Sequence, residues 1–259
     1  MELVRRDPHP ALRPYVRQIC GFEEVAPVPV VRRELPFAGT VLIVLLDTPL
    51  WIAPEGGREL RFGSFFGGLH DVAVRTRHTG RLRGVETYLT PLGAHRLLGL
   101  PMDDLANRIV ALEDLLGAEL EARIAAAHGS PARMGVLERA LLRRLEQGRA
   151  PSPDVAWAWR RLTETHGGVA VGALAAELGC SRRHLAVRFR EQVGLPPKAV
   201  ARLLRFERAV ALLDTGAAAA DVAYTCGYAD QPHFNREFRA LAGITPTVHR
   251  AERAGLLAA

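Results

Sequence analysis

The sequence has few of the residues that most often carry chemistry or cross-links. Only three cysteines, Cys20, Cys180 and Cys226, occur in 259 residues. They are widely spaced and odd in number, which argues against a disulfide framework, and no Cys-x-x-Cys pair offers zinc a ligand set. They read as small buried thiols. Lysine is nearly absent: Lys198 is the only one, so the 34 basic residues are almost all arginine. Alongside the many alanines, this reads as codon bias and carries no functional meaning. The longest apolar run, Val41–Leu46, is far shorter than the roughly 20 residues a membrane helix needs. The first residues alternate charge and proline without an apolar core, so no secretory signal is expected and a cytoplasmic location is. No Gly-x-Ser-x-Gly elbow, Walker loop or Gly-x-Gly-x-x-Gly turn opens a helix after a strand, and no enzyme is expected.

The chain that remains is 48% hydrophobic, enough at this length for two modest cores. The net charge of +6 is unevenly spread: residues 1–150 hold 20 basic against 18 acidic residues, and residues 151–259 hold 14 against 10. The shorter C-terminal part carries most of the excess, as an electrostatic footprint for phosphate would.

The most informative stretch is C-terminal. Val171, Leu174, Ala175 and Leu178 recur at helical spacing and stop at Gly179. Ser181 stands where an N-cap opens the next helix, and Leu185 and Phe189 then fall four apart on one face. A short helix, a glycine turn and a second helix with a basic outer face describe a helix-turn-helix unit, here residues 171–194. The pattern repeats over residues 219–243. Ala219–Cys226 and Gly227 are followed by an Asp230 cap, a first-turn Pro232, and Phe234 and Phe238 at the same spacing. Between the units, Pro197–Leu213 carries an apolar stripe through Val200, Leu203, Phe206 and Val210, with Lys198, Arg202, Arg205 and Arg208 opposite. One long helix is therefore expected to join the two units.

These residues resemble the DNA-binding domain of AraC/XylS-type transcription regulators. The likeness rests on Leu174-Ala175 with Leu178-Gly179, Ser181-x-x-His184-Leu185, Phe189-Arg190-Glu191, and Val193-Gly194 with Pro197-Lys198. It continues through Val222-Ala223, Cys226-Gly227-Tyr228, Asp230-Gln231 with His233-Phe234, Phe238-Arg239 and Gly243-Ile244-Thr245-Pro246, and ends at Arg250. Pro232 and His249 replace the serine and tyrosine the pattern would carry.

The first part of the chain differs in character. Val28–Leu35, Thr40–Leu46, Trp51–Ala53, Glu59–Phe62, Ser64–Phe66, Val72–Thr76 and Arg83–Leu89 read as short strands after a polar entry over residues 1–20, within which Pro14-Tyr15-Val16 can begin a short helix or strand. Many short strands point to a small antiparallel sandwich or barrel. Helices are expected over Leu92–Leu98, Met102–Asn107, Leu112–Ala127 and Arg133–Gln147, with a further helix capped by Asp154. Leu12-x-Pro14-Tyr15-Val16, Phe66–His70, Leu89–Ala94 and Leu112-x-Asp114–Gly117 resemble the N-terminal region of one AraC-type subgroup. That resemblance implies a cupin-like fold with a sensor or dimerisation role. The fold class is thus α+β multidomain. A β-rich cupin-like sensor spans residues 1–98, and a helical segment over 99–149 is a candidate for dimerisation. A linker covers 150–154, and an all-α domain covers 155–259.

The expected DNA contacts lie on the outward faces of the two second helices. In the first unit they are Arg182, Arg183, Ala186, Val187 and Arg190; in the second, Gln231, Pro232, Asn235, Arg236 and Arg239. Arginine can pair bidentately with guanine, asparagine or glutamine with adenine, and small apolar side chains can touch a thymine methyl. Arg190 and Arg239, later in their helices, suit phosphates. The expected partners are promoter DNA, a small-molecule effector, RNA polymerase and a second copy of the chain, with no membrane, no cofactor and the nucleoid as the working site. The competing reading is a cupin-type metal-binding protein or enzyme with an appended DNA-binding module. His70, His78 and Glu86 are its candidates, although the two closely spaced histidines of a cupin metal site are missing. Alkyl-transfer repair proteins share this DNA-binding architecture and use a nucleophilic cysteine, but Cys20 has no companion motif.

Overall fold

A computed structural model describes residues 2–54 and 57–258. The strands are β1 (Glu2–Arg6), β2 (Val16–Val25), β3 (Val30–Glu34), β4 (Thr40–Leu45), β5 (Leu50–Pro54), β6 (Leu60–Phe62), β7 (Phe65–Gly67), β8 (Val74–His78), β9 (Arg81–Leu89) and β10 (Ile109–Ala111). They form two antiparallel sheets, ordered β1-β2-β9-β4-β7-β10 and β3-β8-β5-β6. Helices α1 (Pro91–Leu98), α2 (Leu112–Leu116), α3 (Ala118–Ala126) and α4 (Ser130–Gln147) follow.

Strand β4, Thr-Val-Leu-Ile-Val-Leu, shows how the sheet is used. Leu42 and Val44 alternate to the outer face and join a core with Leu137, Leu141 and Leu145 of α4. Val41, Ile43 and Leu45 face inward and line a cavity between the sheets. Each leucine so covered by α4 contributes about 2 kcal/mol relative to exposure. A strand apolar on both faces reads as a continuous apolar run, and it is the longest one in the chain.

Several expectations change, and the helix expected over Met102–Asn107 is only the single turn Met102–Asp104. The polar entry over residues 1–20 is instead β1 and the first half of β2, and β2 is a central strand. Its pattern is obscured because Gln18, Cys20, Phe22 and Glu24 face the cavity, where polar groups are accepted. The helix expected over Leu112–Ala127 is two helices interrupted at Gly117. Residues 99–149 add β10 to the larger sheet and lay α4 on β2 and β9, so this segment completes the core of the N-terminal domain.

Gly68 is a point of forced close approach. A Cβ there would fall 1.8 Å from the Leu105 carbonyl oxygen, backbone against backbone. Gly68→Ala is therefore expected to lower stability by about 3 kcal/mol, read as a reduced urea midpoint at unchanged slope.

The C-terminal part is all helical: α5 (Pro153–Glu164), α6 (Val171–Glu177), α7 (Arg182–Val193), α8 (Pro197–Asp214), α9 (Ala219–Thr225), α10 (Gln231–Ala242) and α11 (Pro246–Ala258). The cap of α5 is Ser152, with Pro153 at the first helical position; Asp154 sits in the first turn, where its charge suits the helix dipole. Ser152 is held by Gln192, whose Oε1 accepts its backbone N–H at 2.9 Å.

Candidate nucleic-acid interface

Both units are built by the same local devices. The Ser181 side chain accepts the His184 N–H at 3.1 Å, and Asp230 accepts the His233 N–H at 2.6 Å. Each cap satisfies a donor that the first turn would leave open. The turns before them place Gly179 at φ +63° and Gly227 at φ +72°, left-handed backbone that glycine adopts without strain. Leu185, Phe189, Phe234 and Phe238 are fully or almost fully buried and anchor α7 and α10 on α8 through one core. The aromatic centre is tight: Phe238 lies 5.0 Å from Phe206 and 5.7 Å from Phe234, ring centre to ring centre.

The opposite faces hold the expected contact residues. Arg182, Arg183, Val187, Gln231, Pro232, Arg236 and Arg239 are exposed, while Ala186 and Asn235 are half-buried. Arg182 leans back over Gly172 of α6. Arg190 is exposed but lies 3.9 Å from Asp103, in the turn Met102–Asp104 of the sensor. Sequence reasoning passed over Tyr224 on α9, which is 88% exposed. Its signal was available, since it falls off the buried Val222/Ala223/Cys226 side of its helix.

Residues 174–252 match a family model described as a helix-turn-helix domain. This region is an AraC-type DNA-binding domain. The F1 operon positive regulatory protein of Yersinia pestis is 36% identical to the chain over 81 residues, which is 31% of this chain and 27% of that protein. The chain therefore matches about a quarter of that relative's length. A transcriptional regulator with an AraC-type DNA-binding domain from Chromobacterium violaceum is 30% identical, over 39% of this chain and 93% of its own, with a TM-score of 0.36. ToxT from Vibrio cholerae O395 aligns over 92% of this chain and 98% of its own at 10% identity, with a TM-score of 0.49.

The AraC-type domain packs directly on the N-terminal β-rich domain. Leu69 and Leu92 of that domain are buried in the helical core. The Ala73 N–H donates to the Leu241 carbonyl at 2.8 Å. Arg17 donates to the Ala38 carbonyl at 2.6 Å and lies 3.7 Å from Glu207 of α8. Burial pushes the Glu207 carboxyl up, and the Arg17 charge offsets part of that.

The N-terminal domain holds a cavity of about 670 Å³ between its sheets, within the usual range for a small-molecule site. His70, His78 and Glu86 all line it. His78 Nε2 lies 3.2 Å from Glu24 Oε2, and Glu24 also takes both arms of Arg32, whose hydrogen bonds hold its carboxyl below the usual range. His70 Nδ1 is 2.7 Å from the Gly68 carbonyl oxygen, and burial lowers its pKa. Among the described residues no three His, Cys, Asp or Glu side chains are grouped as a metal ion would require. No helix of the described residues is long and apolar enough to cross a membrane.

Glu86 is the unusual group of the cavity. Burial pushes its carboxyl up to about 7, the Tyr88 hydroxyl opposes this by donating at 3.3 Å, and the Glu34 carboxylate adds to the rise. A carboxyl raised above its unfolded value supplies stability below that value and loses it as pH rises through the folded pKa. The protein is therefore expected to lose about 2 kcal/mol between about pH 5 and pH 8 relative to a Glu86→Gln variant. Urea midpoints of the two proteins should agree at the lower pH and favour the variant at the higher one.

Proposed function

We propose that this chain is a sequence-specific transcription regulator whose DNA affinity responds to an effector in the sensor cavity. The observation that carries it is the way α7 and α10 are mounted. Their buried faces and C-terminal ends are fixed to one core and to the N-terminal domain, while Arg183, near the start of α7, and Arg236, midway along α10, face solvent. In this reading α7 and α10 enter successive major grooves about 34 Å apart. Arg183 and Arg236 read guanine, Gln231 and Asn235 read adenine, and Ala186 and Val187 meet thymine methyls. Pro232 starts the second helix against the backbone, while Arg182 and Arg239 hold phosphates.

Arg190 has a double role in this reading. Its contact with Asp103 ties α7 to the sensor, and its release supplies a phosphate clamp. The segment that lines the cavity at His70 and Val72 also carries Leu69 and Ala73, which bind the helical domain. Occupancy of the cavity thus has a short mechanical route to α7 and α10. A homodimer acting in the cytoplasm, reading direct or inverted repeats and contacting RNA polymerase, completes the proposal. It is tested by titrating purified full-length protein against its own and neighbouring promoter fragments at several salt concentrations. Preference for particular fragments is expected, and equal affinity for all of them overturns the assignment.

A further inference from the structure

Resting on the reading of the cavity as the effector site, we propose that the effector is an apolar molecule carrying one cationic nitrogen, seated against Glu86 and Glu34. The bases that line the cavity are already engaged: Arg5 acts on the Cys20 thiol. Arg32 is committed to Glu24 by a two-armed pair, and His78 approaches the same carboxylate. Arg17 is committed to the Ala38 carbonyl and to Glu207. Glu86 has no such partner: the groups acting on it are the Tyr88 hydroxyl, the Glu34 carboxylate and its own burial, and none is a cation. Glu34, from the other sheet, accepts a hydrogen bond from Thr76 Oγ1 at 3.0 Å. Two carboxylates thus share one cavity, and Arg32, the base that feels Glu34, is held by Glu24.

Glu86 is also placed for recognition. It sits mid-strand in β9, between Cys20 of β2 and Ile43 of β4 in the register. Beside it stand Tyr88 and Phe37, whose rings meet edge to face at 5.7 Å, and both line the cavity. Aromatic faces beside a carboxylate suit an ammonium group. The deeper walls are apolar, with Leu50, Ile52 and Phe65 buried together. A charged end and a greasy end therefore face one volume, which selects an amphiphilic amine over a sugar, a fatty acid or a metal ion. An anion would meet Glu34 and Glu86 head-on, and an uncharged ligand would leave Glu86 to be buried without compensation.

The test uses full-length protein and two probe series: arylalkylamines such as 2-phenylethylamine and tryptamine, and linear amines from butylamine to dodecylamine. Each is compared with its alcohol and its carboxylate analogue by thermal melting at about pH 8, where Glu86 is ionised. At least one amine is expected to raise the melting temperature by several degrees at saturating concentration, with its alcohol and carboxylate without effect. Binding should weaken at least tenfold in Glu86→Gln and persist in Glu146→Gln, an exposed substitution on α4. It should also weaken towards about pH 6, as Glu86 takes up its proton. The groups facing Glu86 across this range are Cys20, Glu34 and Tyr88, with Arg5 acting on Cys20 from β1, and burial raises both the thiol and the phenol. No amine binding, equal binding by the alcohols, or undiminished binding to Glu86→Gln each overturns the proposal. Promoter titration separates this outcome from failure of the regulator reading. An amine that binds without changing promoter affinity supports the charge class and removes the effector role; selective promoter binding with no amine bound overturns the amine proposal and leaves the regulator reading standing.

Discussion

Replacing Phe238 with alanine is expected to cost the helical domain about 4 kcal/mol and to abolish specific DNA binding at ordinary temperature. Phe238 is fully buried, and three rings meet it: Phe206 of α8, Phe234 of its own helix and His249 of α11. Truncation removes the transfer energy of the ring and leaves a cavity between three helices that cannot all close on it. A domain is stable by only about 5–15 kcal/mol in total, so this is a large fraction of what is available. The loss should appear as a lowered urea midpoint in far-ultraviolet circular dichroism. Phe238→Leu, which keeps most of the volume, should recover more than half of it. A change below about 1 kcal/mol for the alanine variant would mean that the aromatic centre does not hold α10 in place.

How legible this domain was in the sequence follows from the same residues. Phe234 and Phe238, the Ser181 and Asp230 caps and the glycine turns are local signals, and each repeats. The helix-turn-helix units could therefore be bounded without knowing what lies across from them. His249, which stands where the related pattern carries tyrosine, is legible only in three dimensions: it is buried against Phe238, with Nε2 2.8 Å from Asp214 at the end of α8. The sensor was harder to read. Strand β2 is legible only at its start, around Pro14-Tyr15-Val16, because its later alternate positions face a partly polar cavity and the usual apolar-in, polar-out pattern fails there. The joint between the domains left no sequence signal at all. Arg17 and Glu207 are far apart in the chain, and Leu69 reads as an ordinary loop residue until it is found in the helical core. Arg190 illustrates the consequence: its helix position suggested a phosphate contact, and only the fold reveals Asp103 beside it.

Arg183→Ala and Arg236→Ala are expected each to weaken binding to the preferred promoter fragment by about 1–3 kcal/mol, roughly 5- to 150-fold, and to relax base preference at one position each. The two side chains lie on different recognition helices and share no partner, so the double variant should lose the sum. Arg239→Ala should behave differently. As a phosphate contact it should weaken binding to all fragments alike and reduce the dependence of log affinity on log salt by about one. Folding does not confound the comparison, because all three arginines are exposed and hold no buried contact. Unchanged melting temperatures would verify this. If Arg183→Ala and Arg236→Ala lower affinity uniformly across fragments, both arginines are phosphate contacts. Base reading then falls to Gln231, Asn235, Ala186 and Val187, and the guanine assignment is wrong. If only Arg236→Ala changes base preference, α10 alone reads sequence in this conformation. The Asp103 contact, which holds α7 to the sensor through Arg190, becomes the next residue to remove. Asp103→Ala should then raise affinity for the promoter, since it frees Arg190 for phosphate and alters no residue of either reading helix.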